Sequence, residues 1–161
     1  MRMAFGYAAV LTVVGAQLAY FYGALPDVVA SHFGANGLAN GYMPRGVFVA
    51  FYGGLVLFLL AVFGGIAVVL RSIPVELINL PNKDYWLSGE REASSREWLS
   101  RELQRFGLLV VVFIAVIMQR VFMANVDSSP PCLSPTFVLA GVGSLFLAVV
   151  VLTIRMIRRF S

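Results

Sequence analysis

The chain has 161 residues, of which 60% are hydrophobic and only 12% are charged, and its formal net charge is +4. Average soluble domains have roughly 45–50% apolar and about 25% charged residues, so this composition excludes a soluble globular domain, and disorder as well. The single cysteine excludes an internal disulfide, and the basic residues do not form the continuous stripe typical of nucleic-acid binding. The sequence therefore predicts an integral membrane protein whose first partner is the lipid bilayer and which binds no nucleic acid.

Four apolar runs are long enough to cross a bilayer, which takes about 20 residues in a helix. They are predicted at about residues 4–24, 46–70, 107–126 and 136–154 of a single membrane domain, residues 1–161. The third run contains one charged residue, Arg120, near its end. The expected fold class is all-α, a polytopic membrane protein with four transmembrane helices.

The distribution of basic residues predicts the orientation of these helices, because lysine and arginine are enriched on the cytoplasmic side. The termini and the loop 71–106 contain Arg2, Arg71, Lys83, Arg91, Arg96, Arg101, Arg105, Arg155, Arg158 and Arg159. The opposite side has only Arg45, in the loop 25–45. We therefore expect both termini and the loop 71–106 in the cytoplasm, with the loop 25–45 outside.

The cytoplasmic loop is expected to have two parts. Pro74 and Pro81 exclude one uninterrupted helix from the first part. In the second part, Ser94 and Glu97 have the spacing of a capping box, and acidic and basic residues alternate four positions apart. This pattern predicts an amphipathic helix from about residue 95 that leads into the third transmembrane helix, with its charged face solvated.

The outer loop is predicted to be folded because it contains two Asn-Gly pairs, at residues 36–37 and 40–41. Both residue types accept positive φ, and the pair is therefore common in turns. Asp27 and His32, the only histidine, also lie here, but two ligands are too few for zinc, which usually takes three or more protein ligands. We expect turn hydrogen bonds for these two residues, with partner recognition as the alternative, and no metal or other cofactor.

Gln17 in the first helix and Arg120 in the third are predicted at one depth, because both helices run outward. Polar residues within a membrane often belong to functional sites. An arginine near a helix end also extends its side chain to the membrane surface. Both interpretations of Arg120 remain open at this point.

Small residues recur four positions apart on two of the predicted helices. This spacing allows close helix contact, either inside the bundle or between two copies of the chain. The residues are Ala50 and Gly54, Ala61 and Gly65, and Ala140, Ser144 and Ala148.

Two segments of the chain contain recognisable residue patterns. The first is the outer loop, with Leu25-Pro26, His32-Phe33, Gly37, Gly41-Tyr42 and Arg45. The second is residues 78–87 with Glu90-Arg91. Together they resemble a bacterial membrane module of unknown function, and the second is similar to a signature of its short stand-alone members. That module also forms the N-terminal part of SdpI-type immunity proteins, which protect cells from a secreted peptide toxin.

The resemblance implies a multi-pass protein of the bacterial cytoplasmic membrane that recognises a secreted peptide or partner at its outer face. The alternative is an accessory subunit that stabilises a larger membrane complex. The candidate recognition residues are Asp27, His32, Phe33, Tyr42 and Arg45, and the candidate cytoplasmic interface residues are Asn79, Asn82, Tyr85, Trp86 and Trp98. We expect no enzymatic activity, because the sequence has no nucleophile, histidine and acid in a catalytic pattern.

Overall fold

The predicted all-α membrane fold is confirmed in the computed structural model, which describes residues 2–161. Helices α1, Arg2–Tyr22, α2, Arg45–Ser72, α4, Arg91–Asp127, and α5, Pro135–Phe160, are each long and apolar enough to span a membrane. Helix α3, Lys83–Trp86, is a single turn. The chain is therefore a multi-pass membrane protein.

The predicted amphipathic segment and the third span form one helix, α4. Its 37 residues give a length of about 56 Å, well beyond a hydrocarbon core of roughly 30 Å. The predicted capping box is wrong, because the helix begins at Arg91, and the Ser94 hydroxyl donates to the Arg91 carbonyl. Gly89, with a φ of 52°, reverses the chain before Glu90 and allows this earlier start.

Helix α4 is the centre of the bundle and packs against α1, α2 and α5. The ring of Phe122 is fully buried in the main core. It stacks on Phe21 with a centroid separation of 5.0 Å and meets Phe48 and Tyr52 edge to face. These aromatic contacts join three helices near one end of the bundle.

Close helix packing occurs at a residue outside the small-residue motifs. A Cβ added to Gly107 of α4 would lie 2.1 Å from Cγ of Phe63 of α2, so only glycine fits there. The expected packing of the motif residues inside this bundle is wrong for those that are exposed, which are Ala50, Gly54, Ala61, Ala140 and Ser144. Four-residue spacing specifies a helix face but not the neighbour that the face meets.

The loop between α1 and α2 is an antiparallel hairpin of β1, Val28–Phe33, and β2, Ala39–Pro44. The hairpin was not predicted. The expected turn at Asn36-Gly37 is confirmed, with a φ of 82° at Gly37. The expected turn at Asn40-Gly41 is wrong, because these residues belong to β2 and Gly41 lies opposite His32.

The two ends of the bundle differ in structure. We call the end that carries β1 and β2 the hairpin end, and the other the C-terminal end. A second core lies at the C-terminal end, and it consists of Ile78, Leu80, Leu87, Leu99 and Phe160.

Candidate recognition site at the hairpin end

The hairpin is joined to α4 by the buried side chain of Asn125. Its Oδ1 accepts a hydrogen bond from the Ala30 backbone N–H at 2.7 Å, and its Nδ2 donates to the Ala30 carbonyl at 3.0 Å. The same Nδ2 donates to the Val121 carbonyl at 2.9 Å. No role of Asn125 is predicted from the sequence, in which an amide late in an apolar helix is the one available signal.

The base of the hairpin is fixed by Arg45, the first residue of α2. Its guanidinium donates to the Leu25 carbonyl at 2.8 Å and to Oδ1 of Asp27 at 3.0 Å. Asp27 is highly exposed, so the ion pair itself contributes little. The main role of Arg45 is to bind carbonyl groups just beyond the end of α1 and hold that end next to the start of α2.

The tip of the hairpin is held by the loop between α4 and α5. The Leu133 N–H donates to the Gly37 carbonyl at 2.8 Å, and the Ala39 N–H donates to the Pro131 carbonyl at 3.2 Å. Gly37 is irreplaceable here on two grounds, since its φ is positive and an added Cβ would lie 2.2 Å from the Leu133 carbonyl oxygen. Cys132 lies in this loop and is exposed.

The five candidate recognition residues divide into two groups. Asp27 and Arg45 pair with each other, and Phe33 packs against the main core. His32 and Tyr42 are exposed on the hairpin surface. The Nδ1–H of His32 donates to Oδ1 of Asn40, and this bond joins β1 to β2 rather than closing a turn as expected.

The structure places Gln17 in a polar cluster within the membrane-spanning region. It accepts from the Tyr52 hydroxyl at 2.9 Å, and it donates to Oε1 of Gln119 at 3.0 Å and to the Ala115 carbonyl at 3.1 Å. Arg120 takes no part in these hydrogen bonds and lies instead over the ring of Phe137 in α5.

Three of the five candidate cytoplasmic interface residues contact the end of α5. Asn82 and Trp86 donate to the Phe160 carbonyl at 3.2 and 2.9 Å, and the Trp98 ring meets the Phe160 ring edge to face. Asn79, Asn82 and Tyr85 are exposed, whereas Trp86 and Trp98 are half-buried. The side-chain amide of Asn82 is already bonded to Phe160, so Asn79 and Tyr85 are the better candidates for contact with a partner.

Part of the charged face of α4 is buried, so the expected full solvation of that face is wrong. Arg96 donates to the carbonyls of Leu70 and Ile73 at the end of α2 and pairs with Glu92. Glu102, also buried, accepts from Arg155 of α5 at 3.0 Å and from Arg105. The unpaired carbonyls at a helix end require such donors, but the sequence does not show which arginine supplies them.

The geometry describes a helical membrane protein with an ordered hairpin at one end. Residues 9–56 match the family model described as Domain of unknown function (DUF1648), and this region runs from the middle of α1 through the hairpin into α2. No curated protein and no solved structure matches the chain. The match supports a membrane family of unknown function and covers the candidate recognition site.

Proposed function

We propose that this chain is a non-catalytic membrane protein that recognises a secreted peptide or protein segment at its hairpin end. One observation carries the proposal, which is that the hairpin is fixed at three places. Asn125 holds strand β1, Arg45 holds the base and Leu133 holds the tip. A two-stranded hairpin alone is marginally stable in water. A fixed hairpin displays its outer side chains in one arrangement, which lowers the entropy cost of binding.

The exposed side chains of the hairpin suit such contacts. Tyr42 is 54% exposed and Val28 is 59% exposed, and His32 is also exposed on the same hairpin. Tyrosine offers a large apolar ring together with a hydroxyl and is enriched in binding surfaces. We assign contact with the partner to these three residues, whereas Arg45 positions the hairpin.

The proposed location is the bacterial cytoplasmic membrane, with the hairpin outside and both termini in the cytoplasm. The basic residues of the loop 71–106 and of the C-terminus support this orientation. A secreted peptide would then meet the hairpin before any other part of the chain. The resemblance of the outer loop, residues 25–45, to SdpI-type immunity proteins supports a peptide as the partner.

Site-directed photocrosslinking in intact cells of the native host tests the proposal. A photoreactive residue at position 42 should form a crosslink to one defined peptide or protein, and the same residue at position 146, exposed on α5, should not. Gly37→Val, which disrupts the hairpin tip, should abolish the crosslink while membrane insertion continues. Adducts with lipid alone at position 42 would contradict recognition and leave the hairpin as a structural lid.

An accessory subunit of a larger complex is the second candidate, and the position of α5 favours it. This helix packs mainly on α4, and none of the residues in its most apolar 18-residue stretch is buried. Leu139 and Phe146 are among its exposed side chains. Purification in a mild detergent separates the candidates: stoichiometric large subunits favour the accessory role, and a small species that protects cells from a secreted peptide toxin favours recognition.

A further inference from the structure

Arg120 is a cation within a membrane-spanning helix that has no anionic partner among residues 2–161. It lies seven residues before Asp127, the end of α4, which places its Cα about 10 Å below that end. Its guanidinium carbon is 5.1 Å from the ring centre of Phe137, which stabilises the charge but offers no hydrogen-bond acceptor of the usual kind. An arginine at such a position is stabilised by an anionic partner or by extending its side chain to the membrane surface, where lipid phosphates lie.

Two cavities meet at this side chain. The first, of about 340 Å³, is a groove between α1 and α4 whose polar residues, Gln17, Gln119 and Arg120, lie toward the hairpin end. The rest of this groove is lined by alanines and valines such as Val13 and Val116. It extends over nine residues of each helix, 9–17 and 112–120, which is a rise of about 12 Å.

The second cavity, of about 370 Å³, lies between α4, the loop before α5 and the start of α5. Its lining is more polar than that of the groove and includes Asp127, Ser128 and Ser134 in addition to Arg120. An apolar groove thus leads to a cation, and a polar cavity begins at that cation. This order matches the parts of an amphiphile: tail, charged group and polar headgroup.

We propose that Arg120 binds the phosphate of a phospholipid from the leaflet at the hairpin end, with one acyl chain in the groove between α1 and α4. The planar guanidinium presents paired N–H donors that match phosphate oxygens in a bidentate arrangement. Asp127 lines the headgroup cavity as its acidic residue, so a zwitterionic headgroup fits better than an anionic one. Phosphatidylethanolamine meets both requirements.

This site uses different side chains from the proposed recognition by the hairpin, although Leu133, whose N–H holds the hairpin tip, also lines the second cavity. His32 and Tyr42 line neither cavity, and Arg120 contacts neither strand in its described interactions. Failure of one proposal therefore leaves the other unaffected.

Native mass spectrometry of the detergent-purified chain, titrated with phosphatidylethanolamine, tests the assignment. We expect one tightly retained lipid per chain, binding at least tenfold weaker in Arg120→Gln, and an intermediate loss in Arg120→Lys, which keeps the charge without the planar fork. Diacylglycerol with the same acyl chains lacks the phosphate and should bind at least tenfold more weakly. Arg158→Gln, at an exposed arginine near the other end, is the matched control and should bind as the wild type does.

A second variant tests the groove. Val116→Phe fills it and should weaken lipid binding, whereas Val149→Phe on α5, at a similarly exposed valine outside the groove, should not. Equal affinity in Arg120→Gln and wild type, or equal affinity for diacylglycerol, would overturn the proposal. It would also be overturned if Val116→Phe changed the oligomeric state and left lipid binding intact, because a second copy of the chain would then occupy the groove.

Discussion

Asn125 pairs with both backbone groups of Ala30, a residue 95 positions earlier in the chain. The amide side chain accepts and donates as the backbone of a neighbouring strand would. Helix α4 thus satisfies the hydrogen-bonding groups of Ala30 on the edge of β1, where a third strand would otherwise pair.

Replacing Asn125 with alanine should therefore destabilise the hairpin end. The buried N–H and carbonyl of Ala30 would lose their partner, and such groups cost about 1–3 kcal/mol when left unsatisfied. Thermal unfolding in detergent should show the loss, and hydrogen exchange should be faster at Ala30. Asn79→Ala, at an exposed asparagine, should change neither quantity, and an equally small effect of Asn125→Ala would contradict this account.

His32 and Gly41 are expected to be energetically coupled. An added Cβ at Gly41 would lie 2.9 Å from Cβ of His32, so Gly41→Ala requires the two strands to separate. His32→Gly removes the obstructing atom and should recover much of the loss in the double variant. A double-mutant cycle on thermal stability measures the coupling, which is about 0.5–3 kcal/mol for residues in contact.

Additive effects in that cycle would contradict the steric explanation. Gly41→Val should cost more than Gly41→Ala while leaving the four helices inserted, because their insertion depends on hydropathy rather than on the hairpin. Circular dichroism of the purified variants checks that the helical content is unchanged.

The sequence was sufficient to predict the helices because long apolar runs have few alternatives in a membrane. It was also sufficient for the turn at Gly37, where positive φ favours glycine. It was insufficient at Gly41, where glycine is required by the approach of His32, a contact across the hairpin. Local chemistry predicts a conformation that a residue allows, but a tertiary contact depends on where a second segment lies.

The buried polar residues illustrate the same limit at the C-terminal end. Arg96 and Glu92 are correctly spaced for an ion pair on a solvated helix, and they form it. The additional bonds from Arg96 to the carbonyls at the end of α2 arise only because the helix α4 extends past that end. The sequence alone contains no measure of that packing.

Gly107→Ala should weaken the contact between α2 and α4. The new methyl group would overlap the Phe63 ring, and overpacking of this kind costs typically about 1–3 kcal/mol. Gly64→Ala, where a Cβ meets nothing within 4 Å, is the matched control. It should be neutral or stabilise α2 by roughly 0.5–1 kcal/mol, since alanine is the better helix former. The measurement is the thermal unfolding temperature of the two variants. A higher temperature for Gly107→Ala than for Gly64→Ala would refute the close contact between Gly107 and Phe63.

Phe160→Ala should unfold the second core while the membrane-spanning core stays intact. The ring is fully buried and meets the rings of Trp86 and Trp98, and truncating a buried phenylalanine costs about 3–5 kcal/mol. Tryptophan fluorescence reports the change directly, because both tryptophans of the chain contact this ring. Ile157→Ala, at an exposed position of the same helix, should leave the emission unchanged. Unchanged emission in Phe160→Ala would show that α5 does not dock as described.

Labelling of Cys132 should reveal the orientation of the chain. This cysteine is exposed at the hairpin end and is the only one in the sequence, so the wild type needs no engineered site. An impermeant maleimide should label it in intact cells if the hairpin faces outward, as the distribution of basic residues predicts.

The reporter for the other side is Glu97→Cys in a Cys132→Ser background, at an exposed residue whose surface ion pair contributes little. Ser95, at nearly the same depth, is unsuitable because it is fully buried. Glu97→Cys should react only after the membrane is permeabilised, and Cys132→Ser alone should not react at all. Labelling of position 97 but not of Cys132 in intact cells would reverse the topology and remove the hairpin from the reach of any secreted peptide.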